Sequence, residues 1–147
     1  MYFANSNLDT EEEFARRLTA ARTLAAAEGV ELAVEPYDHG GWLKEVAAGF
    51  EGEPEKGARC ARCFRYNLAK TAAYAAAHGF ESFTTSLTVS PHKVSEEVFA
   101  AGREAGAGFL EENFKKREGF RRSLARSAEL GLYRQSYCGC EFSKGRS

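Results

Sequence analysis

Four cysteines stand in two close pairs, Cys60-Ala61-Arg62-Cys63 and Cys138-Gly139-Cys140. Thiols so spaced either ligate a soft metal or exchange electrons. Residues three apart on a helix share a face, so Cys60 and Cys63 can reach one metal. A helix start favours thiolates, and Arg59, Arg62 and Arg65 are expected to favour them further. Core filling explains many cysteines, but it does not call for two in register at an arginine-flanked helix start. In the second pair a single glycine separates the thiols, so a bond between them is expected to be strained and easily reduced. That favours a dithiol that cycles, with Gly139 supplying backbone freedom. A metal-binding role and a passive pair of thiols stay open for it. Four thiolates suffice for one tetrahedral zinc or one iron-sulfur cluster if the pairs converge, and the sequence leaves one shared site and two separate sites equally open.

A second constellation is basic. Lys115, Lys116, Arg117, Arg121, Arg122, Arg126 and Arg134 fall within 20 residues, with Phe114, Phe120, Tyr133 and Tyr137 interleaved. Such a stretch can hold phosphates and stack bases, although most of its aromatics are expected in the core. The net charge of -1 hides a segregation, with 12 acids and 5 bases in residues 1–57 against 9 acids and 15 bases in residues 58–147. The three histidines, His39, His78 and His92, lie in loops or at a helix end and read as structural rather than as ligands.

The elements that must position these residues alternate. A helix is expected over residues 10–28, with Asp9 or Thr10 as N-cap, Glu13 completing a capping box, Gly29 as its stop, and Phe14, Leu18, Ala21 and Ala25 as its buried stripe. Residues 30–34 read as a strand, and Gly40-Gly41 opens a short helix carrying Trp42. An acidic surface loop then leads to an alanine-rich helix over residues 60–78, with both cysteines in its first turn. Residues 82–89, dense in Phe, Thr and Val, read as a buried strand, followed by a helix capped by Ser95. Residues 109–114 form a strand or loop, residues 118–130 a basic helix, and Cys138 and Cys140 sit in a glycine-hinged turn near the end. This alternation favours a parallel sheet flanked by helices.

With 147 residues, 44% of them hydrophobic, the chain suffices for one compact domain spanning 1–147. No apolar run approaches the ~18–20 residues of a membrane span, and no basic region after Met1 leads into a signal-like stretch. A cytoplasmic location without membrane association is therefore expected, where thiols stay reduced and paired cysteines read as metal ligands or catalytic groups before structural disulfides.

Several blocks resemble a known family. They are Glu53-Pro54-Glu55, Arg59-Cys60-Ala61-Arg62-Cys63-Phe64, Phe83-Thr84-Thr85-Ser86-Leu87, Ser90-Pro91-His92-Lys93 and the run from Leu132-Tyr133-Arg134-Gln135-Ser136-Tyr137 through Cys138-Gly139-Cys140-Glu141-Phe142-Ser143. Together with the opening Tyr2-Phe3-Ala4-Asn5-Ser6-Asn7-Leu8, Glu13, Phe14 and Arg17, they are similar to QueH-type epoxyqueuosine reductases over essentially the whole chain. The resemblance implies a single three-layer α/β/α, Rossmann-like domain of the nucleotide α-hydrolase-like kind. It also implies reduction of epoxyqueuosine to queuosine at the tRNA anticodon wobble position, with electrons from an unidentified donor.

By the same resemblance Cys60 and Cys63 are ligands of a [4Fe-4S] cluster, completed in the family by two adjacent cysteines near the N-terminus, and Cys138 and Cys140 are the redox-active pair, able to form a disulfide bond. The chain departs from the family in showing neither that Cys-Cys segment nor the strand before it, and in carrying Asn67 and Asn113 where arginine and an acid are usual. The expectation is an N-terminally truncated reductase whose first strand is missing. The rival expectations are a zinc-stabilised tRNA-binding module and an inactive remnant of the reductase.

Overall fold

The structure, a computed structural model, describes residues 1–144; the last three positions of the expected 1–147 domain lie outside the described residues. Its frame is a β-α-β unit. Strand β1 (Tyr2–Phe3) lies parallel to β2 (Ala33–Val34), with Tyr2 opposite Ala33 and Phe3 opposite Val34. Helix α1 (Glu11–Glu28) connects them. Thr10 caps α1 by accepting from the Glu13 amide at 3.1 Å. Glu13 does not return the favour expected of a capping box, because its buried carboxylate is taken by Arg17 Nε at 2.8 Å and by the Tyr133 hydroxyl. Leu18 and Ala25 are buried in the stripe as expected, and the stop at Gly29 is left-handed at φ 65°.

Helix α2 (His39–Trp42) runs into one π-helical turn, Leu43–Ala47. That wider turn helps Trp42, Val46 and Ala47 face the same interior, where they pack with Cys140, Cys63, Tyr66 and Phe142. Helix α3 (Ala58–Ala77) begins two residues before the expected start, so Cys60 and Cys63 occupy its first turns. Its other face carries Phe64 and Leu68 against Val98 and Ala101 of α4 (Ser95–Ala105), with Phe83 and Phe109 closing that second core. Helix α3 therefore bridges two apolar cores, with Cys63 on one side and Phe64 on the other. Ser95 lies inside α4 rather than capping it; Val94 holds the cap position without a side-chain bond.

The strand expected over residues 82–89 does not form. Phe83 makes a single parallel bridge to Phe109, and Ser86–Val89 coils into a 3-10 turn capped by Thr85. A strand needs ladder partners, and this segment has one neighbour only. On its other side a cavity of about 590 Å³, lined among others by Tyr2, Ala33, Tyr74, Ser82 and Thr84, separates it from β1. Propensity alone cannot hold a strand open against such a gap. Helix α5 (Gly119–Glu129) buries no residue fully. The whole is an α/β, Rossmann-like arrangement with a small parallel sheet and five α-helices among the described residues.

Candidate thiol site

The two cysteine pairs, 75 residues apart between Cys63 and Cys138, meet at the start of α3. The C-terminal segment reaches this place because α1 clamps it. Arg17 donates from Nη1 to the Cys138 carbonyl at 2.8 Å and from Nη2 to the Tyr137 carbonyl at 3.0 Å, while Glu13 fixes its Nε. Asp9 accepts from the Tyr137 hydroxyl at 2.6 Å and from Lys144 Nζ at 2.9 Å, and its own amide donates to the Gly139 carbonyl at 2.9 Å. Gly139 is buried at φ 136°, where a side chain is strained, and a Cβ there would stand 2.4 Å from Leu8 Cδ2. The glycine expected to lend freedom is thus required by both backbone angle and space.

Each sulfur has its own surroundings. Cys60 accepts from the Lys56 amide at 3.3 Å. Cys63 faces Asn67 Nδ2 at 3.7 Å and packs in the same core as Trp42 and Cys140. Cys138 accepts from Lys93 Nζ at 3.1 Å. Cys140 is buried, with its sulfur 3.8 Å from Ser143 Oγ. All four thiols are free. Burial pushes the Cys63 thiol up to about 12, with the nearby Cys138, Cys140 and Cys60 sulfurs adding to the rise and the Trp42 indole opposing it. Burial also raises Cys60, against the Lys56 amide and Lys93.

These shifts correct the expectation that the helix start and its arginines favour both thiolates. The arginines look elsewhere. Arg59, 1% exposed, spends its Nη1 on the carbonyls of Phe50, Glu51 and Glu53. Arg62 serves the carbonyls of Val46 and Glu45, and Arg65 pairs with Glu104. They fasten the preceding loop and neighbouring helices, so desolvation wins at the sulfurs.

His39, read from sequence as structural, contacts the Ser6 carbonyl through Nδ1 at 2.8 Å and the Glu141 carboxylate through Nε2 at 3.1 Å. It ties the residue after Cys140 to the start of α2, and both partners are acceptors, so both contacts are hydrogen bonds only when the ring carries both protons. Sequence reasoning gave no role to Lys93, Arg17 or Trp42. Lys93 and Arg17 lie within blocks that carry the family resemblance, which was the one available signal.

A metal centre is matched only in part. Cysteine is the right donor for an iron-sulfur cluster, and two thiols lie within one helical turn of each other. Beside Cys63 the buried Trp42 Nε1 makes no geometrically formed hydrogen bond, yet it lies near enough to the sulfur to oppose its rise, and an N–H so placed suits a sulfur that carries charge. Among the described residues, however, no group of three or more His, Cys, Asp or Glu lies close enough to hold one metal ion. The residues thus fit a two-thiolate half-site, and the four-thiolate zinc site held open by the sequence is not assembled.

The basic stretch is more open than expected. Phe114, Phe120 and Tyr133 are 41%, 37% and 39% exposed rather than core, and only Tyr137 of the four interleaved aromatics is half-buried. Arg121 and Arg126 of α5 pair with Glu118 and with Glu28 and Glu129. Two cavities, of about 590 and 420 Å³, lie on the other side of the fold, lined by β1, β2 and the far end of α3 rather than by the cysteines. Among the described residues no helix is long and apolar enough to cross a membrane.

Comparison with known proteins gives one answer throughout. The family model for epoxyqueuosine reductase QueH matches residues 1–146. A protein named epoxyqueuosine reductase QueH from Streptococcus pyogenes serotype M1 is 36% identical over 153 residues, covering 97% of this chain and 60% of its own length. One of the same name from Dehalococcoides mccartyi is 38% identical over 149 residues, covering 98% of this chain and 78% of its own. A third, from Thermotoga maritima, is 32% identical over 148 residues, covering 97% and 77%. The chain therefore spans between about three fifths and four fifths of these relatives.

Proposed function

Since the chain belongs to the epoxyqueuosine reductase QueH family, we propose that it is an oxidoreductase that reduces epoxyqueuosine to queuosine in the wobble position of tRNA. The observation that carries this reading is the meeting of the two cysteine pairs at the start of α3, where Cys63 feels the sulfurs of Cys138 and Cys140. The reaction breaks both C–O bonds of an epoxide, forms a C=C bond and releases the oxygen as water, consuming two electrons and two protons. A Cys138 and Cys140 pair passing to its disulfide supplies the two electrons, and the two protons come from its S–H groups and from solvent. An external reductant then restores the dithiol.

In this reading Cys60 and Cys63 are this chain's two ligands to a [4Fe-4S] cluster, whose chemistry when bound is one-electron transfer. The residues shape the site around it. Burial keeps the Cys63 thiol protonated until a metal competes for it. The Trp42 core excludes water behind the sulfurs, and the Arg17 clamp fixes the redox turn in front. The tRNA partner would lie along α5 and the segment after it, where arginines and exposed aromatic rings suit phosphates and unstacked anticodon bases. The 1–147 chain acts as one domain in the cytoplasm in this account.

Anaerobic reconstitution with iron and sulfide tests the ligand assignment. A brown protein whose visible absorption disappears in Cys60→Ser and Cys63→Ser, but persists in Cys138→Ser, supports it. A colourless protein that retains stoichiometric zinc would overturn it.

A further inference from the structure

We propose that Lys93 pairs with the Cys138 sulfur as a positioning residue that makes Cys138, rather than Cys140, the more reactive thiol of the C-terminal pair. This rests on the reading of Cys138 and Cys140 as a redox pair.

The two sulfurs are not equivalent. Cys138 is half-buried and receives an ammonium at 3.1 Å; Cys140 is buried and has only a serine hydroxyl at 3.8 Å. Among the described residues the Cys138 sulfur is the one hydrogen-bond acceptor of Lys93 Nζ, and Lys93 joins no ion pair with a carboxylate. A half-buried ammonium left without a counter-charge is costly, so the sulfur is the group that compensates it. The ammonium also lies 5.5 Å from the Phe64 ring centre, a cation-π contact that fixes its approach from the α3 side. The chain holds the residue there from both ends: its amide donates to the Ser90 carbonyl at 3.3 Å, and α4 begins two residues later at Ser95.

The ammonium's own acidity agrees. Burial, the largest influence, pulls Lys93 down, yet the Cys138 sulfur and its hydrogen bond, followed by the Cys60 and Cys63 sulfurs, outweigh it and leave it raised. The consequence is an assignment of order within the pair, with the paired and more accessible sulfur meeting substrate or reductant and the buried one closing the disulfide.

Alkylation of the reduced chain by iodoacetamide, followed site by site by peptide mass, tests the assignment without reference to turnover. Because the thiolate is the reactive form, Lys93→Met and Lys93→Gln should each slow modification of Cys138 by about tenfold, while Lys93→Arg, which keeps the charge, should stay within about twofold of the parent. Using two neutral variants guards against one failing to fold. An unchanged Cys138 rate in either folded neutral variant overturns the proposal, as does equal slowing in Lys93→Arg, which marks lost packing rather than lost charge. The underlying redox reading fails separately: Cys138→Ser retaining epoxide reduction would remove it while leaving the alkylation comparison intact.

Discussion

Gly139 shows at the scale of one residue how tightly the thiol turn is specified. At φ 136°, with Leu8 Cδ2 2.4 Å from where a Cβ would be, Gly139→Ala combines backbone strain with overpacking. Denaturant unfolding should show a loss of about 1–3 kcal/mol, and an unchanged midpoint would mean the turn is looser than described. Arg17 is the second such residue, because its guanidinium holds two carbonyls of the turn and neutralises buried Glu13. Arg17→Met leaves that carboxylate with only the Tyr133 hydroxyl and Arg16, 3.9 Å away, and should cost about 1–3 kcal/mol, seen as a lower unfolding midpoint together with faster proteolysis within residues 132–144. The cysteines themselves were legible, since residue type and spacing carry their chemistry directly. Their acidities were not. Sequence places Arg59, Arg62 and Arg65 beside them but cannot say that all three guanidiniums turn toward carbonyls and Glu104. Lys93, distant in sequence from every cysteine, becomes a partner of Cys138 only through the packing of α4 on α3.

Among the elements, helices were read well and strands poorly. Helix α1 announces itself by Thr10 and Gly29, which act locally. The segment 82–89 has the composition of a strand but lacks neighbours to pair with, a non-local condition that no window of sequence contains. β1 went unrecognised because two residues hold too little pattern to see. The contact of α4 with the Phe83–Phe109 bridge gives a direct check: a Cβ at Gly102 would fall 2.3 Å from the Phe109 ring, so Gly102→Ala should lower the thermal midpoint by an amount equivalent to about 1–3 kcal/mol. The junction of α1 with the C-terminal segment should respond to acid. Burial pushes the Asp9 carboxyl up, but hydrogen bonds from Tyr137 and Lys144 outweigh it and hold Asp9 below the usual carboxylate range. A lowered folded-state value means that this stabilisation is complete above the unfolded value, near pH 4, and is lost as pH falls through the lower folded one. The protection factor across residues 132–144, exchange corrected for its intrinsic pH dependence, should therefore fall below that range in the parent. In Asp9→Asn, which cannot ionise, the part of that fall due to this group should be missing.

For the whole molecule, the charge segregation seen in sequence becomes a basic, aromatic-bearing flank beside a thiol junction. Exposure of Phe114, Phe120 and Tyr133 was the unexpected part, because hydrophobic type alone argues for burial whereas α5 buries no residue fully. If tRNA lies there, Arg117→Ala and Arg122→Ala should each weaken binding of an anticodon stem-loop and reduce the slope of log affinity against log salt by about 0.7–0.9 per lost phosphate contact. Unchanged slopes would move the RNA to another face. The most direct measurement on the central claim is conversion of epoxyqueuosine to queuosine in tRNA by the anaerobically reconstituted chain with a chemical reductant, followed by nucleoside mass. Loss of one oxygen by the parent, with no conversion by Cys138→Ser or Cys140→Ser, is the result expected. Full conversion by both serine variants would contradict the account.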